Sequence, residues 1–185
     1  MANIYFMSQL PSLDGVNENV AIPVTEERFL ELCQRFLDKK AQHEISKLTI
    51  TPPREYEKSS SDLIEAWNKG ERDLRFALAK VRADKMKKPF DTENKQFPVD
   101  LVKVARTAVE MDSPMEAEKF LNRYRLELLE TLRPMDSFCE DAVFYYGLKL
   151  KLLSRMKQIN ADIGETAYKN IYNSIMNGDR LEAIQ

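Results

Sequence analysis

The chain has 185 residues, is 43% hydrophobic and 31% charged, and carries a formal charge of -2. That is long enough to bury a real core, and it lacks the basic excess of a dedicated nucleic-acid binder. No stretch approaches the roughly 20 apolar residues needed to cross a bilayer.

The start, MANIYFMSQLPSLDG, has neither the basic n-region nor the long apolar run of a signal peptide. A cytoplasmic protein with reduced thiols is therefore expected, and Cys33 and Cys139 read as free cysteines among apolar helical neighbours. Ile4-Tyr5-Phe6-Met7 has the length of a strand, stopped by Pro11 and Gly15. Thr25 can cap a helix running through EERFLELCQRFLDKK, with Phe29, Leu32, Cys33, Phe36 and Leu37 on its apolar face. Glu26 and Glu27 fall in its first turn and Lys39 and Lys40 in its last, which suits the helix dipole. In ISKLTITPPREYEK, Leu48 and Ile50 alternate with Thr49 and Thr51, a strand signal ended by Pro52-Pro53. At most a short β pair near residues 3–8 and 47–51 is expected.

SSSD at 59–62 opens the next helix, with Ser59 or Ser60 as the cap and Leu63, Trp67, Leu74, Leu78 and Val81 on one face. Gly70 on that helix marks a kink or a close helix contact. Pro89 predicts its end near Lys87-Lys88. Residues 89–98 form a polar linker, so the reading divides the chain into an N-terminal helical region (1–88) and a C-terminal one (99–185). Leu101, Val104, Ala105, Ala108 and Met111 make a shorter amphipathic helix. Ser113-Pro114-Met115-Glu116 is a capping box with Pro at the first helical position, opening a helix with Phe120, Leu121, Tyr124, Leu128 and Leu132.

Ser137-Phe138-Cys139-Glu140 repeats the capping pattern and opens the most apolar segment. Its centre, LKLKLL, alternates like a strand. Phe138, Ala142, Tyr145, Leu148, Leu152, Met156, Ile159 and Ile163 nevertheless share one helical stripe, so the helical period predominates. Lys149 sits at the stripe's edge, Lys151 and Arg155 lie off it, and Tyr146 and Leu150 spread apolar character around the helix. Such a helix is central in a bundle or covered by a partner. A last helix, ETAYKNIYNSIMN, carries Tyr168, Ile171, Tyr172 and Ile175, with Gly178 past its end and a loose tail at 179–185. The fold class read from all this is mainly α: a helical bundle, either single or split into two small lobes.

The sequence spells out no reaction. One histidine, His43, and two distant cysteines do not make a zinc site. Paired Glu-x-x-His motifs, a P-loop, a G-x-G-x-x-G loop and a nucleophile elbow are all missing from the sequence. No cofactor, metal ligand or catalytic residue is assigned. RADKMKK (82–88) reads first as cations at the negative pole of a helix.

IYFMSQLPSL is similar to the N-terminal signature of a small bacterial family encoded beside V-type ATPase subunits. DLRFALAKVRADKM (73–86) and DAVFYYGLKLKLLSRM (141–156) resemble helices of the C subunit of V/A-type ATPases, the d-type central-stalk subunit. The resemblance implies a non-catalytic coupling part between the central stalk and the membrane rotor ring, serving ion transport and touching the membrane only through the complex. It also implies contacts to partner subunits through Tyr146, Lys151 and Arg155. The competing expectation is a self-associating helical adaptor, a homodimer that buries the 138–163 helix.

Overall fold

A computed structural model describes residues 2–17, 20–54, 58–90, 98–159 and 168–175. Seven helices follow one another: α1 (Ala2–Ser8), α2 (Glu26–Phe36), α3 (Lys39–Lys47), α4 (Asp62–Lys85), α5 (Val99–Glu110), α6 (Pro114–Thr131) and α7 (Glu140–Gln158). Residues 168–175 are also helical. The architecture is a helical bundle, and no strand occurs among the described residues. The expected β pair is thus corrected at both ends. Ile4–Met7 lies inside α1, and residues 48–51 are irregular chain after α3. Four alternating residues before two prolines are too few to fix a sheet without a partner edge.

Local chemistry sets most helix ends. Thr25 caps α2 by accepting from the Arg28 amide, and Ser113 caps α6 through the Glu116 amide with Pro114 at its first position. Three boundaries depart from the expectations. The first long helix breaks in two, because Leu37 turns extended and Asp38 accepts from the Ala41 amide to start α3. Lys39 and Lys40 consequently sit at a helix start rather than an end. Ser61, not Ser59 or Ser60, caps α4 through the Ile64 amide. Cys139 stands at the N-cap of α7 with no side-chain bond, so the Ser137 capping box does not form, and Phe138 lies outside the helix, about half exposed. At the far end of α4, Lys88 N–H donates to Ala83 O and Lys87 N–H to Asp84 O, with Lys87 at φ +54°. This Schellman arrangement closes the helix just before Pro89.

The core has two parts. The larger joins Phe6 of α1, Phe29 of α2, Ile45 of α3 and Trp67 of α4 to Val143, Leu148 and Leu152 of α7. The smaller joins Leu74 and Leu78 of α4, Leu101 and Ala105 of α5, and Leu121 of α6. α4 lends its first half to one cluster and its second half to the other. The division between clusters therefore does not fall at 89–98, and residues on either side of that segment share one core. Residues 91–97, Ile163, Gly178 and the tail at 179–185 lie outside the described residues.

α7 resolves the choice its sequence left open between a central helix and a partner-covered one. Every residue from Ala142 to Leu150 is buried, as are Leu152, Leu153 and Met156. α1, α2, α3, α4 and α6 all pack on it. Each fully buried Leu or Phe there contributes about 1.5–3 kcal/mol of transfer free energy. Gly147 permits the closest approach: a Cβ at this position would stand 2.9 Å from Leu48 Cδ2 and 3.1 Å from Phe29 Cε1. The apolar wrapping of α7 is consumed inside the chain.

Candidate functional site

The segment after α1 returns across α7 and meets the α6–α7 turn. Between them lies a cleft of about 220 Å³, lined by Leu10, Pro11 and Asp14 on one side and by Arg133, Tyr145 and Lys149 on the other. Tyr146 Oη donates to Pro11 O at 2.9 Å, and its ring stacks on Phe29 at 5.5 Å. Lys149 Nζ donates to Glu130 Oε1 at 2.6 Å and to Asp14 Oδ1 at 3.0 Å. Arg133 reaches Asp14 at 3.4 Å and lies over the Tyr145 ring at 5.8 Å. The two cations of the cleft, Arg133 and Lys149, are paired with Asp14 on its wall and with Glu130 outside its lining.

These contacts shift the groups in a consistent direction. The hydrogen bond from Lys149 holds the Asp14 carboxyl below its ordinary value of 3.8. Burial alone would raise Glu130, but hydrogen bonds from Lys149 and Tyr145 outweigh it and lower this carboxyl from 4.5. Burial alone would lower Lys149, and its bonds to Glu130 and Asp14 outweigh that and raise it. Tyr145 is pushed up to about 12 by burial and by its bond to Glu130, and Tyr146 to about 12 by burial. All of these shifts favour the states in which these contacts are made: charged carboxylates, a charged lysine and neutral phenols. Nothing here prepares a nucleophile or a general base near neutrality. The arrangement clamps the N-terminal segment onto α7.

A second polar cluster lies between α4 and α6. Glu71, fully buried, accepts from Arg125 Nε and Nη2 at 3.0 Å each and from Arg75 Nε at 2.9 Å. Arg125 also donates to Asn122 Oδ1 at 2.8 Å and to Glu118 at 3.3 Å. Glu118 in turn accepts from Arg155 of α7 at 2.7 Å. A paired, two-pronged guanidinium of this kind satisfies a carboxylate that water cannot reach. Among the described residues no group of acidic, His or Cys side chains could hold a metal ion. No helix among them is long and apolar enough to cross a membrane.

The three residues expected to contact partners land differently. Tyr146 is buried and bonded to Pro11, so it is not presented outward, and the expectation that it faces a partner is corrected. A phenol off the centre of an apolar stripe was met by α2 and the N-terminal segment instead. Lys151, about a quarter exposed, reaches Glu26 at 3.4 Å. Arg155 is 43% exposed while bonded to Glu118. Lys151 and Arg155 share a shallow surface with Glu26 and Thr49–Thr51, and Tyr146 is not part of it. Asp14, Glu130, Glu71 and Arg125 went unremarked in the sequence. Glu71 and Arg125 did leave a signal. Each stands on the apolar stripe of its helix, Glu71 between Trp67 and Leu74, and Arg125 between Leu121 and Leu129. Opposite charges on two buried stripes point to each other.

The chain matches no protein-family model, no curated protein and no solved structure.

Proposed function

We propose that this chain is a non-catalytic structural subunit of a bacterial V-type rotary ATPase assembly, related in role to the C-type central-stalk subunit that links the shaft to the membrane rotor. One observation carries the reading. Two of the three stretches that bear a resemblance meet in space: IYFMSQLPSL is the segment whose Pro11 accepts from Tyr146, within DAVFYYGLKLKLLSRM. One resembles the small bacterial family and the other the C subunit, and their joining in one clamp supports reading them as a single module. A coupling part needs rigidity and complementary surfaces rather than reactive groups. The bonded ionic clusters and the fully packed α7 supply rigidity. Lys151 and Arg155 are among the polar, partly accessible groups of α7 that a neighbouring subunit could meet, with the rotor ring and ion transport lying beyond it. The test is affinity capture of the tagged chain from its own cells, with the captured proteins identified by mass spectrometry. V-type ATPase subunits among them support the reading, and capture that brings down none overturns it.

A self-associating adaptor is the second reading. Its original motive, an uncovered α7, is gone, because α7 is packed within the chain. What favours it now is the 168–175 helix, where Tyr168, Ile171, Tyr172 and Ile175 are each at least half exposed on one face. Light scattering separates the readings. A stable dimer that Tyr168→Ser with Ile171→Ser dissolves supports self-association, and a monomer at all concentrations removes it.

A further inference from the structure

Among the described residues, six polar side chains are buried: Ser61, Asn68, Glu71, Asn122, Arg125 and Lys149. Five of them are bonded inside the chain. Glu71 and Asn122 accept from Arg125, Lys149 reaches Asp14 and Glu130, and Ser61 Oγ donates to Asp141 at 2.6 Å. Asn68 is the exception, because its carboxamide bonds to no other described group. A buried polar group without a bond is costly, so each such group in a folded chain calls for a reason. Asn68 stands on the apolar stripe of α4, one turn after Ile64. Its carboxamide is not sealed in the core but opens on a small pocket of about 70 Å³ between the end of α3 and the start of α4. Leu48, Pro53 and Ile64 form the apolar walls, and Glu44, Lys47 and Lys58 bring charges of both signs to the lining. Leu48 and Ile64 are themselves buried, so the carboxamide lies between fixed walls.

We propose that this pocket receives the carboxamide end of a glutamine or asparagine side chain from a partner polypeptide. The volume lies far below the roughly 300 Å³ at which sites for cofactors and drug-sized ligands begin, so what enters is the tip of a side chain. Asn68 presents a donor and an acceptor side by side, and a second primary carboxamide matches both with two parallel hydrogen bonds. An ion matches only half of it. A carboxylate leaves the Asn68 carbonyl without a donor, and an ammonium leaves the Asn68 N–H groups without an acceptor. The lining, with one carboxylate and two amines, holds partners for either sign and so selects neither. Leu48, Pro53 and Ile64 pack on the methylenes that lead to the entering carboxamide. The proposal stands whatever assembly the chain joins.

The test is NMR observation of the full chain, titrated with glutamine blocked as its acetyl methylamide, and in parallel with equally blocked methionine and glutamate. The account expects glutamine to give saturable shifts of the Asn68 side-chain amide and of the Leu48 and Ile64 backbone amides. Methionine and glutamate should bind at least about tenfold more weakly, since each leaves part of the Asn68 carboxamide unmatched. Asn68→Leu should abolish the response while keeping the melting temperature or raising it by up to about 4 °C, because an unbonded polar group leaves the core. A carboxamide that serves the fold would give the opposite shift in melting temperature. No saturable shift with glutamine, an equal response to methionine, a stronger one to glutamate, or a lower melting temperature for Asn68→Leu would each overturn the proposal.

Discussion

The α4–α6 junction and the junction of α7 with the N-terminal segment are built from the same two devices in opposite proportions. Each has a glycine at a close approach and an ionic cluster beside it. At α4–α6 the ions are inside: Glu71 is inaccessible to water and the Arg125 side chain is 7% exposed. The glycine there, Gly70, has the tip of Leu128 as its nearest neighbour, 2.8 Å from where its Cβ would be. At α7 the glycine is enclosed by Leu48 and a phenylalanine ring, whereas the carboxylates that hold Lys149, Asp14 and Glu130, are 58% and 43% exposed. One junction depends on charge being paired. The other depends on shape, with charge at its wet rim.

The sharpest way to break that contrast is at Arg125. Arg125→Met leaves the buried Glu71 with Arg75 as its remaining partner, and should cost about 3 kcal/mol in urea denaturation. Replacing both as Glu71→Leu with Arg125→Met should recover most of that loss, because the desolvation penalty goes with the pair. A double variant as unstable as the single one would mean the pair holds the junction by more than mutual satisfaction.

Gly147→Ala comes next. The added methyl meets a ring and a leucine that are both packed in the core, and overpacking of this kind costs about 1–3 kcal/mol. Lys149→Met should cost less, about 1.5 kcal/mol, because Asp14 and Glu130 can turn to water once released. An equal or greater loss at Lys149 than at Arg125 would erase the distinction between the junctions.

Gly70→Ala should be nearly neutral. The gain in helix propensity, about 1 kcal/mol, offsets the movement required of one flexible side chain, Leu128. A loss as large as that of Gly147→Ala would show that α4 and α6 also meet with little room to spare.

The gentlest probe is pH. Asp14 and Glu130 are held below 3.8 and 4.5, so their contribution is present above those values and is lost as pH falls through the folded-state ones. Burial raises Cys33 from 9.0 to about 12, Tyr145 and Tyr146 rise from 10.0 to about 12, and Lys149 stands above 10.5. These four stabilise the fold fully below their unfolded values and lose that contribution as pH rises through the folded ones. The melting temperature should therefore be flat near neutrality and fall from about pH 9 upward. Cys33→Ala should delay the onset of that fall. A curve flat to pH 11 would contradict the burial of these groups.

Much of the fold was legible because helices announce themselves locally. Thr25, Ser113 and the stripe of α7 were sufficient to place three helices. Asp38 was missed because KK follows it, which reads as a helix end. The structure gives the cap priority, since its carboxylate reaches the Ala41 amide. LTIT was misread because alternation over four residues does not reveal that Leu48 is needed over Gly147. The candidate cleft was only half legible. Lys149 could be placed at the edge of its stripe, but its partners come from Asp14, 135 residues away, and from Glu130 on another helix. No local period encodes such pairings. Tyr146 shows the same limit in reverse, because an off-stripe aromatic looks available until the chain that covers it is in place.

Native-state hydrogen exchange along α7 tests the central claim, that the apolar residues of this helix from Ala142 to Met156 are packed within the chain and leave no apolar face of it for a partner. The account predicts that amides from Val143 to Leu153 exchange slowest of all, through global unfolding, and with the same protection at low and high protein concentration. Fast exchange on one face of α7, or protection there that grows with concentration, would contradict it.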